Sequence, residues 1–290
     1  MTETDPLPWL LEPENPSARF LALTGLLDRP ADDPGVMATR AAIPGWGPAR
    51  AILDAQWPGG YWVAPGVGYS PKYKATVWQV VYFAALGMPR TEAVDRACAR
   101  VLEDSRLPDG RFSAKKTAQG AIACLGGNLL RALAQLGCED PRVAESVEVL
   151  AETVLRDGFR CRYNALRDMD GNWPARMRDG LPCAWGAIKV LGAFAERPEE
   201  RRSPAVRDAT EAGVALMLGS DLAGGDYPTA TEPSPLWQQF GFPLGYTSDL
   251  LEALEVLGKL GVEPGSQLAP ALEVVRSKRT RSGRWILEHT

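Results

Sequence analysis

The stretch Asn128-Leu129-Leu130-Arg131-Ala132-Leu133-Ala134-Gln135-Leu136-Gly137 decides the fold, because its pattern recurs along the chain. Aligned on helix ends without gaps, it returns as Trp78 to Gly87, Trp185 to Phe194 and Asp249 to Gly258. Each copy has apolar residues at helical spacing. Each is followed, after a short break, by a second helical pattern that ends in glycine plus an aromatic residue. The unit is a helical hairpin repeated at about 50 residues, and one hairpin cannot bury its own apolar face, so repetition predicts an array of mutually packed hairpins.

Five hairpins are expected. The first pairs an inner helix after Ser17, taken as its N-cap, with an outer helix over Pro48 to Gln56, and a short helical piece near Val36 to Ala42 lies between them. The others pair Ala75–Gly87 with Thr91–Ser105, Gly120–Gly137 with Pro141–Leu155, Cys183–Ala195 with Pro204–Leu218, and Tyr246–Leu260 with Ser266–Ser277. Pro141 and Pro204 each sit in a first helical turn, where the missing N–H leaves no bond unmade. The reading is all-α: one domain over 1–290 with inner and outer helix layers, an N-terminal extension over 1–16, and an inserted loop over Cys161 to Leu181. Long polar loops in compact arrays often carry function. This one concentrates Arg160, Arg162, Arg167, Arg176 and Arg178 with Asp168, Asp170 and Asp179, as a polar lid over one end of the array would.

With 45% hydrophobic residues the chain can bury a large core. Its 32 basic against 36 acidic residues give a net charge of -4, no footprint for nucleic acid. The five cysteines are odd in number and widely spaced, which fits a reducing, cytoplasmic setting. No stretch reads as a membrane span, and peripheral membrane contact stays open. A single histidine, His289, excludes His-dependent acid–base sets, and no metal or other cofactor is expected.

The closers Gln56 with Gly59-Gly60-Tyr61-Trp62, Asp109-Gly110-Arg111-Phe112, Asp157-Gly158-Phe159 and Gly283-Arg284-Trp285 resemble the repeats of squalene and terpenoid cyclases and of protein prenyltransferase beta subunits. The resemblance implies an α/α toroid around an apolar cavity, open or one hairpin short of the family's six. It also implies a hydrophobic, isoprenoid-like substrate or ligand. The cyclases' acid motif, Asp-x-Asp-Asp, has its nearest string here in Asp168-Met169-Asp170-Gly171, which lacks the final Asp and lies in the insertion.

The aligned inner-helix starts Arg19, Trp78, Asn128, Trp185 and Asp249 would share one level near the mouth of such a ring. One turn further the alignment gives Tyr82 and Lys189, with Tyr73, Phe240, Phe242 and Tyr246 as aromatic walls. Candidate acids are therefore Asp249, Asp168 and Asp170, and the remaining residues named are candidate substrate contacts. Desolvation among aromatics would favour neutral Asp249, whereas a helix N-terminus or an ion pair with Arg19 would hold it ionised. Two other readings stay open: a polysaccharide lyase or glycosidase, with Trp78 and Trp185 stacking on sugars, and a non-catalytic ligand- or peptide-binding module.

Overall fold

A computed structural model describes residues 5–161, 180–228 and 232–290. The chain is all-α. Twelve helices are present among the described residues: α1 Leu7–Leu10, α2 Pro16–Gly25, α3 Pro34–Ala42, α4 Gly47–Asp54, α5 Thr76–Ala85, α6 Glu92–Arg100, α7 Ala123–Gln135, α8 Pro141–Asp157, α9 Ala184–Ala195, α10 Pro204–Leu218, α11 Leu250–Lys259 and α12 Ala269–Ser277. Extended pairing among these residues is limited to isolated bridges.

The innermost helices are set by their lack of bulk. Helix α7 carries Gly126 and Gly127 just past its first three residues, and a Cβ at Gly127 would lie 2.4 Å from the backbone carbonyl carbon and oxygen of Lys189. Only glycine lets α7 and α9 run backbone against backbone at that point. Helices α5, α7, α9 and α11 follow one another side by side, each backed by its own outer helix, α6, α8, α10 and α12. The inner helices are parallel, as cross-helix pairs at successive levels show: Asn128 with Gly245 at the start, Arg131 and Lys189 with Glu252 in the middle, and Gln135 with Glu196 at the end. Parallel alignment follows from the repeat, because each outer helix returns the chain to the same end.

Caps and apolar stripes explain the element boundaries. Asp33, Thr91, Asp140, Ser203 and Asp249 each accept a backbone N–H at a helix start. Side chains such as Trp78, Phe83, Leu129, Leu130, Leu133 and Phe194 are fully buried, each worth ~1.5–3 kcal/mol of apolar transfer. One hydrophobic cluster runs from Ile43 to Ala271. At the C-terminal ends of α5 and α7, the Arg40 guanidinium from α3 donates to the carbonyls of Gly87, Met88 and Gln135 and so ties the first hairpin to the next two. At the chain's extremities, the Arg284 guanidinium lies 4.2 Å over the Trp9 ring and brings the last closer against α1.

Several boundaries differ from the sequence expectation. Asn15, not Ser17, caps α2, accepting the Ala18 N–H at 3.0 Å, while the Ser17 hydroxyl donates to Leu86 O. The stretch over 1–16 carries the short helix α1. Tyr246 precedes α11, because Asp249 is the residue that caps it. The closers behave unequally: Trp62, Phe112 and Phe159 are buried, but Trp285 remains 39% exposed. No helix among the described residues is long and apolar enough to cross a membrane.

Candidate functional site

The parallel inner layer gathers the N-terminal ends of α5, α7, α9 and α11 at one end of the molecule, with Trp78, Asn128, Trp185 and Asp249 among them. Arg19, expected at the same level, instead follows Ser17 at the opposite end, because α2 starts against Leu86 and Gly87 at the C-terminal end of α5. Trp78, in the first turn of α5, is wholly buried, its indole N–H donating to Tyr69 O at 2.7 Å. Around it pack Tyr73, Tyr69 and Tyr246, with ring centroids 5.1, 5.4 and 5.6 Å away. Tyr69 and Tyr246 are also edge-to-face at 6.2 Å. Tilted and edge-on packing places ring edges on ring faces and favours a cluster over a flat stack. The amide of Asn128 donates to Gly245 O at 3.0 Å, fixing the segment before α11 onto α7. A Cβ at Gly245 would lie 2.7 Å from the Tyr73 ring, so glycine is what allows that ring to cover the segment. The Lys72 ammonium lies 5.6 Å over the Tyr246 ring. Burial pushes the phenols of Tyr73 and Tyr246 upward, and burial together with the nearby Tyr73 pushes Tyr82 up to about 12.

Asp249 lies in the inner layer at 1% exposure. One carboxylate oxygen accepts the Glu252 N–H at 2.8 Å, as an N-cap does, and the other accepts the Gly241 N–H at 3.0 Å. Burial raises its carboxyl above the ordinary range, with a smaller push from Glu252. The two backbone donors and Lys189 pull the other way without prevailing. Arg19 makes no ion pair with Asp249 among the described residues, and its Nε is buried without a hydrogen-bond partner. Trp185 is half-buried in the first turn of α9.

Lys189 does not line open space. It is 1% exposed, and its ammonium bonds both oxygens of Glu252, at 2.8 and 2.7 Å. Arg131 reaches the same carboxylate at 3.1 Å, Glu255 at 3.1 Å and Glu196 at 3.7 Å. The middle level of α7, α9 and α11 is thus filled by an ion-pair network where the resemblance implied an apolar lumen. Glu252 is three residues after Asp249. The sequence alignment, which gave Lys189 at this level, passed over Glu252 as the partner.

The aromatic walls divide. Phe240 is buried beneath Lys278, whose ammonium is 4.9 Å from the ring centroid, whereas Phe242 is 43% exposed. Tyr73 is 46% exposed, so Tyr73 and Phe242 offer the open aromatic surface of this end. His289 also belongs here, unsignalled by any motif. The segment carrying it pairs with 240–242 through Glu288 N to Phe240 O and Phe242 N to His289 O. Its imidazole lies on Gly241, where a Cβ would come within 2.3 Å of the ring, and its Nε2 is buried without a hydrogen-bond partner. Asp168, Asp170 and the rest of the predicted lid from 162 to 179 lie outside the described residues. Among the described residues no group of His, Cys, Asp or Glu could hold a metal ion. A search against protein-family models gives no match to this chain, and comparison with curated proteins gives none either.

Proposed function

We propose that this chain is a toroid-like helical protein of the terpenoid cyclase and prenyltransferase type that binds a hydrophobic, isoprenoid-like small molecule at the aromatic mouth of its inner layer. The observation that carries the reading is the cluster of Tyr69, Tyr73, Trp78 and Tyr246 at the converging helix starts, with Tyr73 and Phe242 open to a ligand. Polyene chains present flat apolar faces, and aromatic rings desolvate them at little entropic cost. The parallel inner layer and the Arg284–Trp9 contact between the chain's two ends support the toroid. Asp249, with both oxygens taken by backbone N–H groups, holds the Phe240–Tyr246 segment over the mouth instead of reaching the ligand. The activity is binding rather than proton-initiated cyclisation.

Titration of the full chain with a C15 or C20 polyprenyl alcohol, followed by tryptophan fluorescence, tests this. Tyr73→Ala and Phe242→Ala should each weaken binding roughly ten- to hundredfold, the loss of one buried aromatic contact, with the helical dichroism spectrum unchanged. Saturable binding of a neutral or acidic oligosaccharide instead of the polyprenyl compound, or affinities indifferent to both substitutions, would overturn the reading. Conversion of the bound alcohol would restore a catalytic role.

A further inference from the structure

The ligand reading leaves the cysteines unused, and the fold gathers three of them. Cys161 and Cys183 flank the insertion in sequence, but their backbones pair: Cys161 N donates to Leu181 O at 2.9 Å, Cys183 N to Phe159 O at 2.9 Å and Gly180 N to Cys161 O at 3.2 Å, with Arg160 opposite Pro182. In an antiparallel pair, residues two apart share a face and diagonal neighbours are within reach. Cys161 and Cys183 are such neighbours, so their side chains share one face of the pair. Cys183 is also the N-cap of α9, its sulfur accepting the Gly186 N–H at 3.4 Å.

The third thiol comes from the parallel packing. Cys124 lies in the first turn of α7, which starts beside α9. The point a Cβ would occupy on Gly186 is 3.6 Å from Cys183 Cβ and 3.8 Å from Cys124 Cβ. The positive ends of two helices converge on this group, an environment that favours thiolate. The Cys161 thiol, then the N–H groups of Gly186 and Trp185, hold Cys183 below the ordinary thiol range against burial and Cys124. Burial pushes Cys124 up to about 11, so it stays a thiol. The arrangement supplies a nucleophilic sulfur, a partner on the same face of the strand pair, and a neighbour held out of the reaction.

We propose that Cys183 and Cys161 form a redox-active dithiol whose oxidant is a hydroperoxide. The Cys183 thiolate attacks one peroxide oxygen; the S–O bond forms, the O–O bond breaks, and hydroxide leaves and takes up a proton as water. Cys183 is then a sulfenic acid, oxidised by two electrons as the peroxide is reduced. Cys161 sulfur attacks Cys183 sulfur; the S–S bond forms, the S–O bond breaks, and the hydroxyl leaves with the Cys161 proton as a second water. Two thiols and one hydrogen peroxide give one disulfide and two waters. This site is independent of the ligand proposal and stands if that proposal fails.

The test treats the reduced full chain with hydrogen peroxide, blocks remaining thiols with an alkylating reagent and maps the peptides by mass spectrometry. A Cys161–Cys183 linked peptide is expected, reversed by dithiothreitol, retained in Cys124→Ser and lost in Cys161→Ser and Cys183→Ser. In Cys161→Ser the sulfenic acid on Cys183 has no partner and should be trapped by dimedone, an adduct the wild type should not give. The other thiol neighbours, Cys98 and Cys138, are the internal comparison. Linkage of Cys98 to Cys138 alone, an adduct on Cys183 in the wild type, or no adduct in Cys161→Ser would each overturn the proposal.

Discussion

Substituting Gly127 by alanine tests the packing that places the whole site. The change adds one methyl group to α7. On helix propensity alone it should stabilise the protein by about 1 kcal/mol. The fold reverses that sign. The new Cβ would lie 2.4 Å from the carbonyl carbon and oxygen of Lys189 and 2.6 Å from Val190 N, all backbone atoms of α9. Ordinary contact begins near 3.4 Å, so the two helices must separate by roughly 1 Å, a shift no rotamer change relieves. Separation loosens the apolar interface along α7 and α9 and pulls Lys189 and Arg131 off their shared Glu252. Overpacking costs about 1–3 kcal/mol, and the disturbed ion pairs add to it, so a net loss of ~2 kcal/mol or more is expected after the propensity gain. The neighbouring Gly126 is the control: its Cβ would meet only Leu150 Cδ1, at 3.6 Å, and Gly126→Ala should be stabilising by up to about 1 kcal/mol. Equilibrium urea unfolding of both variants measures the difference at unchanged m-value. Equal effects of the two substitutions, in either direction, would refute the close α7–α9 crossing.

Lys189→Met should cost ~3 kcal/mol, the low end for breaking a buried pair, because Arg131 remains on Glu252; adding Glu252→Met should recover most of the loss, as urea midpoints would show. A single substitution no worse than a surface change would refute the buried network. Asp249, whose carboxyl is raised by burial, should contribute stability in full below the ordinary carboxylate value of about 4 and lose it as pH rises through the raised value; Asp249→Asn should remove that part of the pH–stability curve, measured by thermal unfolding between acid and neutral pH. A curve unchanged by the substitution would show that Asp249 titrates alike in the folded and unfolded chain.

What could be read in the sequence was whatever repeats. Apolar spacing in four aligned stretches, with Pro141 and Pro204 opening two outer helices, is local information, and helices α5 to α12 follow it closely. Helix caps were less legible, since Ser17 and Asn15 are both good cap residues and only the fold shows that the Ser17 hydroxyl is spent on Leu86. Trp78, Asn128 and Asp249, aligned in sequence, lie at one end because parallel helices preserve level, whereas Arg19 lies at the other because α2 starts against the C-terminal end of α5. The alignment could not say which of them face open space. That depends on how near neighbouring helices come, and the nearness is governed by Gly127, a residue that the pattern of apolar positions treats as a gap. With α7 and α9 in contact, a lysine predicted to line a cavity must find a carboxylate or stay unpaired, and Glu252 one turn into α11 is that carboxylate. His289 and the Cys124–Cys161–Cys183 group are illegible for a related reason: each is assembled from segments far apart in the chain, with no spacing rule to join them. The same glycine-set approach that closes the middle of the layer also brings the starts of α7 and α9 together. The ion pairs that fill the middle level of α7, α9 and α11 and the approach of Cys124 to Cys183 at the helix starts are thus two results of one packing contact.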